Sequence, residues 1–145
     1  MATILSVRQD YGSPKDLIWE SWGRKWTASL RELAAGLKPF VVRFNSLEVS
    51  TAAVIAMADP VPEVGLVRAR AKEFLSEAGL KAGQPSIIHC TLVRYATSGQ
   101  DLGALALSAR AVELRVQTVV TSLVISKELV YPNLVSETLD RLQLG

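Results

Sequence analysis

The chain has 145 residues, and its 16 Lys and Arg against 14 Asp and Glu give a formal net charge of +2 at pH 7. Because no segment concentrates basic residues, the sequence lacks the electrostatic pattern of a general nucleic-acid binder, whereas a small phosphorylated ligand stays compatible. No apolar run reaches the roughly 18 residues of a membrane span, and no signal core stands near the first residue. We expect a single domain with a substantial core, located in the cytoplasm and without membrane contact.

The chain contains one cysteine, Cys90, and one histidine, His89. A single cysteine cannot form an internal disulfide, and these two residues alone cannot supply a Cys/His zinc site. We therefore expect a reducing compartment, and we expect neither a metal nor another cofactor.

The first predicted elements are a strand over residues 2–8 and a helix over 14–35. Ser13 suits the N-cap of this helix and Pro14 its first position. All tryptophans of the chain recur at helical spacing along one stripe, which favours a role in the core. This tryptophan stripe consists of Trp19, Trp22 and Trp26.

Two strands should form the middle of the domain. Residues 40–49 alternate as a strand does, and the apolar run at 52–58 follows closely enough to pair with it antiparallel.

The spacing over 62–78 predicts a helix, with Gly79 as its C-terminal cap. The basic residues of this helix are Arg68, Arg70 and Lys72. Because acidic residues are mixed with them, they favour a solvated face, and we assign them no function.

The second half of the chain predicts mostly strands. Residues 86–95 form an apolar, β-branched segment typical of a buried strand, and 100–109 predict a short helix. Two further strands are expected at 112–116 and 118–126, while 134–144 fit either a last strand or a closing helix. Short connections between mixed helices and strands predict an α+β fold with antiparallel sheets.

The strand at 86–95 carries the residues with the clearest chemistry. Since side chains alternate along a strand, His89 and Thr91 point to one face, while Cys90 points to the other as a small buried hydrophobe. An imidazole exchanges protons near neutral pH, and a nearby hydroxyl can bond a phosphoryl or carbonyl oxygen. A lone histidine on a strand is more often structural than catalytic, but this pair indicates proton transfer beside an anion.

The segment Ile87-Ile88-His89-Cys90-Thr91-Leu92-Val93-Arg94 resembles the second motif of the two-histidine (2H) phosphoesterase superfamily, which includes LigT-like 2′-5′ RNA ligases and cyclic phosphodiesterases. The preceding helix and short loop with Pro85 occur in the order that this family uses, so the resemblance extends over most of the chain. It implies a two-lobed 2H phosphoesterase-like fold in which antiparallel sheets are flanked by helices.

In that family each lobe gives a His-x-Thr or His-x-Ser strand to a central cleft. One histidine acts as general base and the other as general acid on a 2′,3′-cyclic phosphate or a 2′-5′ linkage, and the hydroxyls hold the phosphate without a metal. The resemblance assigns His89 to catalysis. It assigns substrate binding to Thr3, Thr91, Arg94 and Tyr95.

The chain departs from the family pattern because it has no second histidine. The best match to the missing first motif has Met1 at the histidine position and Thr3 at the hydroxyl position, followed by an apolar strand that ends in Arg8. Family members have a strand and a helix before this point. We therefore expect that the first strand-helix unit is missing, through a late start or a natural truncation.

Three interpretations stay open at this point. The chain is a phosphoric diester hydrolase of the 2H type that is weak or inactive, a non-catalytic module that binds a nucleotide or RNA terminus, or a structural module. Loss of an opening unit would expose a sheet edge or the tryptophan stripe, so we expect a homodimer. Alternation places Arg94 and Arg8 opposite their threonines, as in an outer salt bridge, unless a bulge re-aims them.

Overall fold

The computed structural model describes residues 15–80, 86–96, 99–130 and 135–145, so the predicted strand at 2–8 lies outside the described part. Three helices and six strands occur in the described part. They are α1 Lys15–Gly36, β1 Phe40–Val49, β2 Ala53–Ala58, α2 Pro62–Glu77, β3 Ile88–Arg94, α3 Leu102–Arg110, β4 Val116–Val120, β5 Ser122–Val130 and β6 Val135–Gln143.

The described strands form two antiparallel sheets. One has the order β3-β2-β1-β4, and the other consists of β5 and β6. The predicted antiparallel pair β1 and β2 is confirmed, and it occupies the centre of the larger sheet. Among the described residues, β3 and β4 are therefore the edges of that sheet.

The prediction of separate strands at 112–116 and 118–126 was wrong in its boundaries. The pairing of β4 with β1 begins where Val116 lies opposite Phe44 and ends where Val120 lies opposite Phe40, the first residue of β1. Beyond Thr121 the chain pairs instead with β6. Strand boundaries here follow the length of the partner strand, which local sequence does not record.

The final segment forms a strand, which decides between the two alternatives left open for residues 134–144. β6 pairs with β5 over nearly its whole length, and the Leu144 N–H donates to the Thr121 carbonyl at 2.9 Å. Leu142 is 3% exposed and packs with Leu123 of β5 against Ala34 of α1. A helix would not have presented Leu142 to α1 while satisfying the backbone of β5.

α1 packs on α2 through aromatic side chains. Trp26 stacks on Trp22, with ring centroids 6.2 Å apart, and on Phe74 of α2, with centroids 6.3 Å apart. Leu75 is 1% exposed in the same cluster, while Trp19 lies half-buried at its border. The predicted core role is confirmed for Trp26, and each aromatic pair adds about 0.5–1.5 kcal/mol beyond its buried area.

α2 covers one face of the larger sheet. Val64 of α2 packs against Phe40 and Val42 of β1 and against Ile88 of β3, and all four side chains are buried. After α2, Gly79 adopts a left-handed conformation with φ of 69°, which confirms the predicted C-terminal cap. The Leu80 N–H donates to the Leu75 carbonyl at 2.8 Å, closing the helix in a Schellman motif.

No helix in the described ranges is long and apolar enough to cross a membrane.

Candidate functional site

One face of β3 is turned toward the core beneath α2, and the other is turned away from α2. Ile88 is 7% exposed and packs toward α2, so the alternating residues His89 and Thr91 lie on the opposite face. His89 is opposite Met57 of β2, and Thr91 is opposite Ile55. The shared face predicted for His89 and Thr91 therefore follows from the register, because burial of Ile88 fixes which side of the strand looks inward.

Two rows of side chains cross the face of the sheet that carries His89. In one row Ser46 of β1, Met57 of β2 and His89 of β3 lie side by side. In the next row Glu48, Ile55 and Thr91 lie side by side. The face therefore carries polar groups on β1 and β3, separated by an apolar strip on β2.

A bulge changes the side-chain direction near the end of β3. The register pairs Thr91 with Ile55, Val93 with Val54 and Arg94 with Ala53. Leu92 is the extra residue, because β3 advances by two residues from Thr91 to Val93 while β2 advances by one. Since Ala53 and Ile55 share a face of β2, Arg94 lies on the face of His89 and Thr91. Simple alternation would put Arg94 opposite Thr91, and the bulge re-aims it, which is the exception that the sequence analysis left open.

The His89 imidazole is half-buried, and its Nδ1 atom is enclosed with no hydrogen-bond partner among the described residues. Burial lowers the pKa of His89 below its ordinary value of 6.5, and the positive charges of Arg94 and Arg68 lower this pKa further. Desolvation and nearby cations both disfavour the imidazolium, so His89 is neutral at pH 7. A neutral imidazole can accept a proton.

Arg68 is a residue of this site that sequence analysis missed. It lies on α2, and its guanidinium donates to the Ile87 carbonyl at 2.6 Å, two residues before His89. Partial burial lowers the pKa of the Arg68 guanidinium. Its neighbour Arg70 instead forms an exposed ion pair with Glu73 at 2.9 Å. The sequence pattern could not separate the two arginines, because only tertiary packing brings one of them to β3.

Tyr95 directly follows β3, and its backbone is hydrogen-bonded to the residue just before β2. Its backbone N–H donates to the Ala52 carbonyl at 3.2 Å, and its half-buried side chain has a hydroxyl that finds no partner within the described ranges. An enclosed phenol of this kind can donate to a ligand oxygen or to water. Cys90 is half-buried on the other face of β3, away from the imidazole, as expected.

Thr3, the residue predicted for the second wall of the cleft, lies outside the described residues. The structure thus brings together His89, Thr91 and Arg94, with Tyr95 at the strand end. One surface depression lies beside Val41 and Arg43, another beside Trp19 and Arg24, and neither is lined by His89. Within the described ranges, no three His, Cys, Asp or Glu residues cluster as a metal site would require.

Comparisons with known proteins support the fold and leave the activity open. No protein-family model matches the chain, and no curated protein is significantly similar to it. Among solved structures, the chain is similar to the crystal structure of TT0787 from Thermus thermophilus. The TM-score is 0.67 at 20% sequence identity, and the match covers 99% of this chain and 76% of that chain.

At this identity the likeness to TT0787 shows a shared fold. The predicted α+β architecture, with antiparallel sheets flanked by helices, is confirmed.

Proposed function

We propose that the chain is a 2H phosphoesterase-like protein, related to 2′,3′-cyclic nucleotide phosphodiesterases and 2′-5′ RNA ligases, that hydrolyses a phosphoric diester slowly. The observation that carries this proposal is the convergence of His89, Thr91 and Arg94 on one face of β3. The resemblance of the motif that begins at Ile87 supplies the reaction class. The substrate would be a small phosphorylated ligand or an RNA terminus.

The chemistry of each residue follows from its surroundings. The neutral His89 imidazole would accept a proton from water as the new bond between the water oxygen and phosphorus forms and the bond to the ribose oxygen breaks. The Thr91 hydroxyl would donate to a phosphoryl oxygen, and the Arg94 guanidinium would offset the negative charge. Tyr95 would supply a further hydrogen bond or an aromatic face for a base.

The single histidine limits the expected rate. The leaving oxygen also needs a proton, and the chain has no second imidazole to supply it. Solvent water would have to protonate that oxygen, at a cost of about 10²–10⁴ in rate relative to a positioned general acid. The proposed activity is therefore weak.

The same observation favours a second candidate, a non-catalytic module that binds a nucleotide or RNA terminus through Thr3, His89, Thr91 and Arg94. Binding needs the hydroxyls and the positive charge but no acid-base pair, so the absence of a second histidine would not prevent ligand binding. Hydrolysis measurements separate the two candidates.

The test is hydrolysis of a 2′,3′-cyclic nucleotide by the wild-type chain and by two variants. His89→Ala should lower kcat/KM by about 10²-fold or more, as expected for loss of a general base. Thr91→Val should lower it by about tenfold or more, because it removes one donor to the phosphate.

Thr118→Val is the matched control for Thr91→Val, since Thr118 is an exposed threonine on β4 of the same sheet. It should leave the rate unchanged. Activity that survives His89→Ala would refute the hydrolase proposal. Binding without turnover, lost in Thr91→Val, would establish the second candidate instead.

We further propose that the protein is a cytoplasmic homodimer of single domains. A lone cysteine suits a reducing compartment, and β4 offers an edge on which Val116 is 52% and Val119 59% exposed. Uncovered β-branched edges are usually paired or protected. Sedimentation should give twice the chain mass, and Val119→Lys should shift the protein toward monomer. A wild-type monomer at tens of micromolar would exclude this dimer.

A further inference from the structure

The end of β3 that precedes His89 is fastened to a helix on the opposite side of the sheet. The Arg68 guanidinium reaches from α2 to the Ile87 carbonyl at 2.6 Å. Ile88, the next residue, is buried against Val64, one turn before Arg68 on α2. The start of β3 is thus held to α2 by the hydrogen bond from Arg68 to the Ile87 carbonyl and by the burial of the Ile88 side chain. A hydrogen bond from a charged donor is stronger than one between neutral groups.

We propose that Arg68 is a positioning residue of the phosphate site, which fixes the entry to β3 and, together with Arg94, supplies positive charge to the anion that His89 would meet. This inference rests on the proposed function, because it assumes a phosphate at that face. It adds a cation from α2 that lies outside the motif around His89.

The electrostatics of the site agree with this geometry. Arg68 and Arg94 both lower the pKa of His89, so both positive charges act on the imidazole. Glu48 of β1 is an acidic residue on the same sheet face, in the row of Thr91, and β2 presents the neutral Met57 beside His89. By alternation, Arg43 of β1 and Asp59, just beyond β2, also lie on this face, and the Asp59 carboxylate accepts a hydrogen bond from the Asn45 side chain. Arg94 lies on the face where the phosphate would bind, and Arg68 adds a second positive charge that acts on His89 from α2.

This charge balance has a consequence for ligand binding. A phosphate placed near His89 would offset the two cations, so its arrival should raise the pKa of the imidazole. Binding of the anion and protonation of His89 would then favour each other. Arg68 would strengthen anion binding and, before the anion arrives, would hold His89 in its neutral form.

The experiment is an NMR titration of the imidazole Cε1–H in the full chain, which contains one histidine and so gives one such signal. The pH titration is done with and without inorganic phosphate. Arg68→Gln should raise the pKa of His89 in the absence of phosphate and weaken phosphate binding by about tenfold. Arg68→Lys keeps the charge and should preserve the wild-type pKa of His89.

Arg70→Gln is the matched control. It removes an arginine two residues away on α2 that pairs with Glu73 in solvent, and it should change neither quantity. The inference is refuted if Arg68→Gln and Arg70→Gln give the same pKa of His89 and the same phosphate affinity. The charge role of Arg68 is refuted if Arg68→Lys raises that pKa as much as Arg68→Gln, because the Ile87 contact alone would then account for the effect.

The titration is readable whether or not the chain hydrolyses a cyclic nucleotide. Absence of turnover with an intact Arg68 effect would remove the hydrolase proposal alone, and turnover without an Arg68 effect would remove this inference alone.

Discussion

Leucine-to-alanine substitutions at two positions of α2 test whether the aromatic cluster between α1 and α2 anchors the helix that carries Arg68. Leu75 is 1% exposed and packs with Trp26 and Phe74, whereas Leu66 on the same helix is 54% exposed. Both substitutions make the same change in helix propensity, so the difference between them isolates burial.

The expected magnitudes follow from these exposures. Leu75→Ala removes a fully buried side chain and leaves a cavity among large aromatic neighbours, which should lower the free energy of unfolding by about 3–5 kcal/mol. Leu66→Ala removes a half-exposed side chain and leaves no cavity, and it should cost about 1 kcal/mol or less. The melting temperature should fall by roughly 6–15 °C for Leu75→Ala.

Urea unfolding followed by far-UV circular dichroism measures both values, and tryptophan fluorescence gives a second probe because Trp26 lies in the same cluster. The two probes should give the same midpoint. Equal costs within about 0.5 kcal/mol would mean that Leu75 does not occupy a closed core, and the packing of α1 on α2 described above would be wrong.

Two further predictions concern the cap of α2 and the protonation of His89. Because Gly79 has φ of 69°, Gly79→Ala should lower the free energy of unfolding by about 1 kcal/mol. Gly65 lies inside α2 with open space where a Cβ would stand, so Gly65→Ala should raise the free energy of unfolding by about 0.5–1 kcal/mol. Thermal unfolding of both variants measures these changes, and two changes of the same sign would contradict the helix end at Gly79. The pKa of His89 is lowered in the folded chain, so below pH 6.5, the ordinary pKa of histidine, His89 binds a proton more readily in the unfolded chain than in the folded chain. The stabilisation that His89 contributes above pH 6.5 is therefore lost as the pH falls through the folded-state pKa. The wild-type chain should therefore lose more stability between pH 7 and pH 5 than His89→Gln, as measured by urea midpoints, and parallel pH profiles would argue against a desolvated imidazole.

The sequence alone determined the local elements. Helical spacing of Trp19, Trp22 and Trp26 located α1 and the face that carries the buried Trp26, and the position of Gly79 indicated the end of α2. Alternation around His89 gave its shared face with Thr91. These predictions succeeded because side-chain period and cap chemistry are properties of a few neighbouring residues.

The tertiary structure decided which distant groups meet. The bulge at Leu92 turns Arg94 to the face of His89, and it exists only because β3 pairs with β2 at a shifted register. Packing of α2 on the sheet separates Arg68, which reaches Ile87, from Arg70, which stays in solvent. Register and helix docking depend on contacts between residues far apart in the chain, and local periodicity carries no record of such contacts.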